Sequence, residues 1–238
     1  MNNNNLKKPV NLIGINGKIG SGKDTVGKII QYLIANNNLP KNMQYDSLEE
    51  LDNGTEKFSN WEIKKFAGKV KEIASILTGI PIEKFENQEF KKTTLPEEWD
   101  FADNNAPDNI MTIRMFLQKL GTEAMRDGLH TNVWVNALFA DYKTSSIVEE
   151  KRGDNLVWSR DVYPNWIITD MRFPNEMKAV VEKNGITIRV NRPGISLLDH
   201  PSETSLDTAE FDYTIVNDST IEDLVIKVRE ILVKEKII

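Results

Sequence analysis

Gly17-Lys18-Ile19-Gly20-Ser21-Gly22-Lys23-Asp24-Thr25 lies between an apolar run at 10–15 and a helix-patterned run at 26–34. Strand, glycine-rich turn, lysine and helix, in that order, form the layout of a phosphate-binding loop. The glycines let successive backbone N–H groups turn inward around an anion. The helix that follows adds the positive end of its dipole. Lys23 supplies a mobile cation for β- and γ-phosphates. Gly17, Gly20, Ser21, Gly22 and Lys23 therefore make a nucleoside triphosphate the first ligand to consider. The usual pattern puts Ser or Thr directly after the lysine to hold magnesium. Here that place is Asp24, and Thr25 comes next. Asp24 either helps place magnesium through water or favours the helix N-terminus as an anion. Thr25 is the expected phosphate or magnesium-shell contact.

Outward from this loop, strand and helix patterns alternate. Residues 62–66 read as a short strand, and 69–77 as a helix closed by Gly79 and Pro81. Residues 39–60 are polar and turn-rich, while 82–110 lack sustained periodicity and read as a surface insertion or flap. Helices are expected over 112–126 and 132–142, and a hairpin over 147–163 around Arg152-Gly153-Asp154-Asn155. Residues 166–169 form a buried strand ending at Asp170. A helix over 174–184 has Pro174 in its first turn and Gly185 just past its end. Strands follow at 186–190 and 213–216, and Ser219 with Glu222 fits a capping box for a terminal helix. This order predicts an α/β fold with a mainly parallel sheet flanked by helices. Ligands in such sheets sit at the carboxyl ends of strands. The ends after Ile15, Thr169 and Val190 should converge on one crevice. With no repeat and no clear linker, one domain over 1–238 is expected. Residues 1–8 form a tail, 82–110 and 147–163 are insertions, and 192–209 is a candidate lid.

Composition narrows the classes. The chain has 238 residues, 39% hydrophobic and 28% charged, as expected of a soluble globular protein. No apolar segment is long enough for a membrane span, and Met1-Asn2-Asn3-Asn4-Asn5 lacks the apolar core of a signal peptide. A cytoplasmic location is expected. There are no cysteines, which removes disulfides, thiol catalysis and thiolate metal sites. A net charge of −6 makes nucleic acid and acidic membranes poor partners. A homodimer is compatible with the chain.

Several residues outside the loop suit phosphate chemistry. Asp170 ends an apolar strand, where a carboxylate holds magnesium or its waters, or else caps the next helix. Arg172 either clamps phosphate oxygens or pairs with Glu176 four residues on. Arg114 and Gln118 share a helix face, suited to phosphate and base edges or simply to solvent. Arg126 closes the same helix and equally serves its C-terminal dipole. Lys64, Lys65, Lys69 and Lys71 form a basic cluster that suits an acceptor phosphate or a solvated face. Arg192 opens a loop containing His200 and Glu203. Asn217-Asp218 ends the last strand, where it contacts a base or forms an ordinary turn.

The chain resembles the deoxynucleoside monophosphate kinase family of bacteriophages and related viruses. The resemblance rests on five stretches in order: Gly20-Ser21-Gly22-Lys23-Asp24-Thr25; Phe66-Ala67-Gly68 with Lys71; Arg114 through Gln118 to Leu120-Gly121-Thr122-Glu123; Thr169-Asp170-Met171-Arg172 with Glu176; and Val190-Asn191-Arg192-Pro193-Gly194 followed by Ile215-Val216-Asn217-Asp218. Trp134 also fits. The resemblance implies a P-loop NTPase-like kinase fold with an acceptor-binding insertion and a lid. It implies transfer of the ATP γ-phosphate to a deoxynucleoside monophosphate, with Mg2+, in the host cytoplasm if the source is viral. It places Lys23, Arg172 and Asp170 as catalytic, and Thr25 and Asp170 on the metal. Gly17, Gly20, Ser21, Gly22, Lys23, Asp24, Thr25, Arg192 and Asn217 would bind ATP. Arg114, Gln118, Lys65, Arg126 and Trp134 would bind the acceptor. Dephospho-coenzyme A kinase is similar in loop and fold. A non-catalytic nucleotide-binding module is the other alternative.

Overall fold

A computed structural model describes residues 9–41, 59–99, 110–144, 146–152, 155–194 and 201–238. The chain folds as two compact units, Met1–Lys65 with Asp141–Ile238, and Phe66–Ala140.

The first unit is built on a five-stranded sheet in the order β2-β5-β1-β6-β7. The strands are β1 (Leu12–Asn16), β2 (Trp61–Lys64), β5 (Asn165–Ile168), β6 (Ile186–Asn191) and β7 (Tyr213–Val216), and every neighbouring pair is parallel. Leu12, Ile13 and Ile15 are fully buried, because a central parallel strand is covered on both faces. Helices α1 (Lys23–Asn38) and α7 (Ile221–Lys234) cover the face that carries Ile13, Ile15, Ile167, Ile188 and Ile215. Helix α5 (Pro174–Glu182) covers the other. There a side chain at Gly14 would meet Met171 Sδ at 2.9 Å and Val180 at 3.1 Å, so glycine lets this helix lie close to the strand. The expected hairpin is present as an antiparallel pair, β3 (Ser146–Arg152) and β4 (Asn155–Val162), which forms a second, two-stranded sheet. The expected turn at 153–154 and most of the 39–60 connection lie outside the described residues.

The expected capping box at Ser219 moves by one residue. Thr220 caps α7 by accepting the Asp223 N–H at 3.3 Å, while Ser219 donates to the Asp223 carboxylate. Both hydroxyls suit a cap, and the sequence alone does not rank them.

The second unit holds α2 (Ala67–Thr78), three short 3-10 turns within 82–99, α3 (Ile113–Gln118), a π-helical segment (Lys119–Asp127) and α4 (Val133–Phe139). Gly79 ends α2 in the left-handed region at φ 70°. Two expectations change here. The described part of 82–110 is not merely surface: Phe85 is fully buried and packs with Ala74, Leu95, Ile113 and Phe116. Single anchors on short 3-10 turns leave no helical or strand period to read. The helix expected over 112–126 is α-helical only to Gln118. Beyond it the ladder widens, and the Gly128 N–H reaches Glu123 O, five residues back. The Trp134 indole N–H donates to Gly121 O at 2.7 Å, and such an inserted donor is a physical cause of a widened ladder.

Candidate active site

The phosphate-binding loop connects β1 to α1. Gly20 and Gly22 have φ of 82° and 93°, a region that L side chains rarely adopt. Gly17 is required for space: a Cβ there would lie 2.4 Å from Ser21 Oγ and 2.8 Å from Val190 O. Ser21 is 1% exposed, and its Oγ has no hydrogen-bond partner among the described residues. A buried hydroxyl so placed fits a ligand oxygen. Asn217, at the end of β7, supports the loop from behind by donating to Ser21 O at 2.9 Å.

Lys23 is 8% exposed. Burial lowers its pKa from the ordinary lysine value; Arg172 acts in the same direction, while Asp24, Glu203 and Asp170 oppose. An arriving polyphosphate would find a largely desolvated cation. Asp24 stands beside it, with Lys23 Nζ 3.9 Å from Oδ2 and Lys65 Nζ 3.2 Å from Oδ1. Thr169 Oγ1 also donates to Asp24 Oδ1, at 3.0 Å. Burial works against the Asp24 carboxylate, yet Lys65 and Lys23 together hold its pKa below the usual value. Lys65, expected near an acceptor phosphate, thus rests on the loop aspartate.

The strand ends after β1, β5 and β6 supply the rest. Asn16 ends β1; its amide donates to Met171 O at 2.8 Å and accepts from Arg189 Nε at 3.4 Å. Asp170 follows β5 and is 8% exposed. It does not cap α5. That role falls to Glu176, whose carboxylate accepts the N–H groups of Arg172 and Phe173 at 2.7 and 3.0 Å. Glu176 therefore meets the Arg172 backbone, and the Arg172 guanidinium pairs with Glu203. Glu203 also accepts the Ile19 N–H, at 3.0 Å. Arg192 is exposed; with Pro193, Asn217, Asp218 and Ser219 it lines a depression of about 190 Å³ beside the loop. A larger depression of about 520 Å³ runs along β7 and α7 but contains no loop residue, so size does not select the site.

In the second unit, Arg114 and Gln118 lie on α3, where Arg114 Nη2 donates to Gln88 Oε1 at 3.1 Å. Arg126, in the π-helical segment, is 6% exposed. Trp134 is likewise buried, with its indole N–H on Gly121 O. Lys71, quoted for the resemblance, is paired with Glu86.

Sequence reasoning did not single out Asn16, Thr169 or Glu203 as site residues. Asn16 and Thr169 left a signal, since each is the polar end of an apolar strand. Glu203 left little beyond its place in a loop.

Among the described residues no group of three or more His, Asp or Glu could cage a metal. Asp24, Glu203 and Asp170 all act on Lys23, and Asp24 and Asp170 supply the one or two carboxylates that magnesium takes alongside phosphate and water. Among the described residues no helix is long and apolar enough to cross a membrane.

Comparison with known proteins gives the family. A putative deoxynucleotide monophosphate kinase of Acanthamoeba polyphaga mimivirus is 28% identical over 221 residues, covering 89% of this chain and 91% of the relative. The deoxynucleotide monophosphate kinase of Enterobacteria phage T4 is 28% identical over 54% of this chain and 48% of its own. That of Escherichia phage RB69 is 30% identical over 55% and 48%. The alignments with the phage proteins thus span about half of each. The sequence model of the deoxynucleotide monophosphate kinase family matches residues 62–228. The chain belongs to the deoxynucleotide monophosphate kinase family and is, with it, a nucleotide phosphotransferase.

Proposed function

We propose that the protein transfers the γ-phosphate of ATP, with Mg2+, to a deoxynucleoside monophosphate, giving the diphosphate for DNA precursor supply. The observation that carries the donor side is the buried Lys23 inside a loop whose glycines hold positive φ, with Arg172 within its electrostatic reach. Phosphoryl transfer needs positioning and charge neutralisation more than covalent chemistry. An acceptor phosphate oxygen attacks the γ-phosphorus and ADP leaves. The acceptor is already anionic, so no strong general base is required.

Each residue has a defined part in this reading. The loop N–H groups and Ser21 hold the β- and γ-phosphates. Lys23 and Arg172 offset charge that develops on the transferring group. Asp24, Thr25 and Asp170 would hold magnesium, directly or through water, and the ion would neutralise phosphate charge. Arg192 and Asn217 border the depression assigned to the adenine ring. In the second unit, Arg114, Gln118 and Arg126 are assigned to the acceptor nucleotide, with Trp134 fixing the helix that carries Arg126. The viral relatives support a host-cytoplasmic location.

The test is ADP release from Mg-ATP, measured separately with dGMP, dTMP, dCMP, dAMP, their ribose counterparts and dephospho-coenzyme A. Release that depends on a deoxynucleoside monophosphate is expected, and Lys23→Ala should abolish it with folding intact. Release only with dephospho-coenzyme A would reassign the acceptor. ATP binding with no transfer to any acceptor would favour a non-catalytic module.

A further inference from the structure

We propose that Glu203 is a positioning residue, its carboxylate bridging the phosphate loop and the Arg172 side chain. The inference rests on the reading of the loop as the ATP site. Glu203 divides its two oxygens: Oε2 accepts the Ile19 N–H at 3.0 Å, and Oε1 pairs with Arg172 Nη1. Its side chain is 4% exposed, against 28% for that of Arg172. The more buried partner therefore anchors the more exposed one. Arginine has a long stem, and a carboxylate fixed to backbone restricts where its planar fork can point.

The position of Glu203 is itself set by the segment that follows. Lys18 Nζ lies 3.2 Å from Asp207 Oδ2. Arg189 donates to the carbonyls of Leu206 and Asp207 and stacks over Phe211 at 4.5 Å. Leu206 is 2% exposed. Residues 203–207 are thus tied to the loop and to β6 at several points.

The guanidinium has five N–H donors, so holding one nitrogen does not exhaust its capacity for phosphate oxygens.

The test uses the full chain with Glu203→Gln, Glu203→Asp, Arg172→Ala and the double variant Glu203→Gln with Arg172→Ala. Saturated turnover, KM for ATP and the Arg172 Nε–Hε NMR signal of the free protein are measured. Glu203→Gln should lower kcat by about 10- to 100-fold while KM for ATP changes by less than about 3-fold. Glu203→Asp should recover part of kcat, which a lost packing contact would not predict. In the Arg172→Ala background the same Gln substitution should change kcat by less than about 2-fold, because the pathway through Arg172 is already gone. The Nε–Hε signal should shift or broaden in Glu203→Gln. Equal losses in both backgrounds, or an unmoved Arg172 signal, would overturn the proposal. So would tighter ATP binding with unchanged kcat, which would mark Glu203 as a competitor of phosphate. The NMR outcome stands whether or not any acceptor supports transfer, so failure of the kinase reading is read separately from the wild-type acceptor assay.

Discussion

Gly22→Ala tests the geometry of the loop and its support together. Gly22 has φ 93° and ψ 13°, and a Cβ there would lie 2.5 Å from Asn217 Nδ2. Alanine in the left-handed region costs roughly 1–2 kcal/mol. The displaced amide also gives up its 2.9 Å hydrogen bond to Ser21 O, worth about 1 kcal/mol. The single variant should therefore lose about 2–3 kcal/mol. Asn217→Ala alone should lose about 1 kcal/mol, because only the hydrogen bond goes. If the two sites were independent the double variant would lose about 3–4 kcal/mol, but the same hydrogen bond cannot be lost twice. The double variant should therefore lose only about 2–3 kcal/mol, a coupling of about 1 kcal/mol. Urea midpoints at unchanged m-value measure all four corners of the cycle. Strict additivity, or a loss under about 0.5 kcal/mol for Gly22→Ala, would refute the packing of Asn217 on the loop. ATP affinity of the same variants, by calorimetry, tests the assignment of the loop. Re-aimed N–H groups should weaken binding in Gly22→Ala, and a destabilised variant with wild-type affinity would remove the loop as the ATP site.

Phe85→Ala should cost about 3–5 kcal/mol, because a fully buried ring leaves a cavity among Ala74, Leu95 and Ile113; a loss below about 1 kcal/mol by denaturant titration would return this segment to the surface. Trp134→Phe should cost about 1 kcal/mol and speed amide exchange across Lys119–Asp127, since Gly121 O loses its indole donor; unchanged exchange would detach the widened ladder from Trp134. Burial lowers the Lys23 pKa below the ordinary 10.5, and bound phosphate should raise it again. The bound state then holds the proton more tightly, so ATP affinity should fall as pH rises through the lowered free-state value. Stability of the free protein runs the other way, because the unfolded chain binds that proton more firmly and deprotonation removes a cost borne only by the fold. A flat affinity profile across the alkaline range would sink this account.

The fold was legible where one face or both faces of an element are uniformly buried. β1 reads from its apolar run because the strand is central and covered on both sides. α5 reads from Pro174 and Gly185, which punctuate its ends for separate backbone reasons. The second unit was less legible. Phe85 and Leu95 are core residues on stretches with no regular period, so their burial follows from tertiary packing alone. The π-helical segment left no local signal: the indole donor on its Gly121 carbonyl, Trp134, lies 13 residues further along the chain.

The same distinction separates the site residues. Gly17, Ser21, Lys23 and Asp24 are neighbours in sequence, so spacing alone assembles them. Asp170 and Arg172 follow from strand polarity, since a polar residue ending a buried parallel strand arrives at the ligand edge. Asn217 needs more: β7 must lie beside β6, and β6 beside β1, before its amide can reach Ser21. Glu203 needs most. It meets Ile19 across 184 residues and has no strand of its own to announce its direction. A carboxylate near a phosphate site would ordinarily be read as repulsive or as a magnesium ligand. The pairing with Arg172 gives it a different role, because its two oxygens tie the Ile19 N–H of the loop to a guanidinium. Of the anions that act on Lys23, the loop motif contains Asp24 and lacks Asp170 and Glu203. A search confined to that motif would find the loop and Asp24 and miss the carboxylate that ties the loop to Arg172.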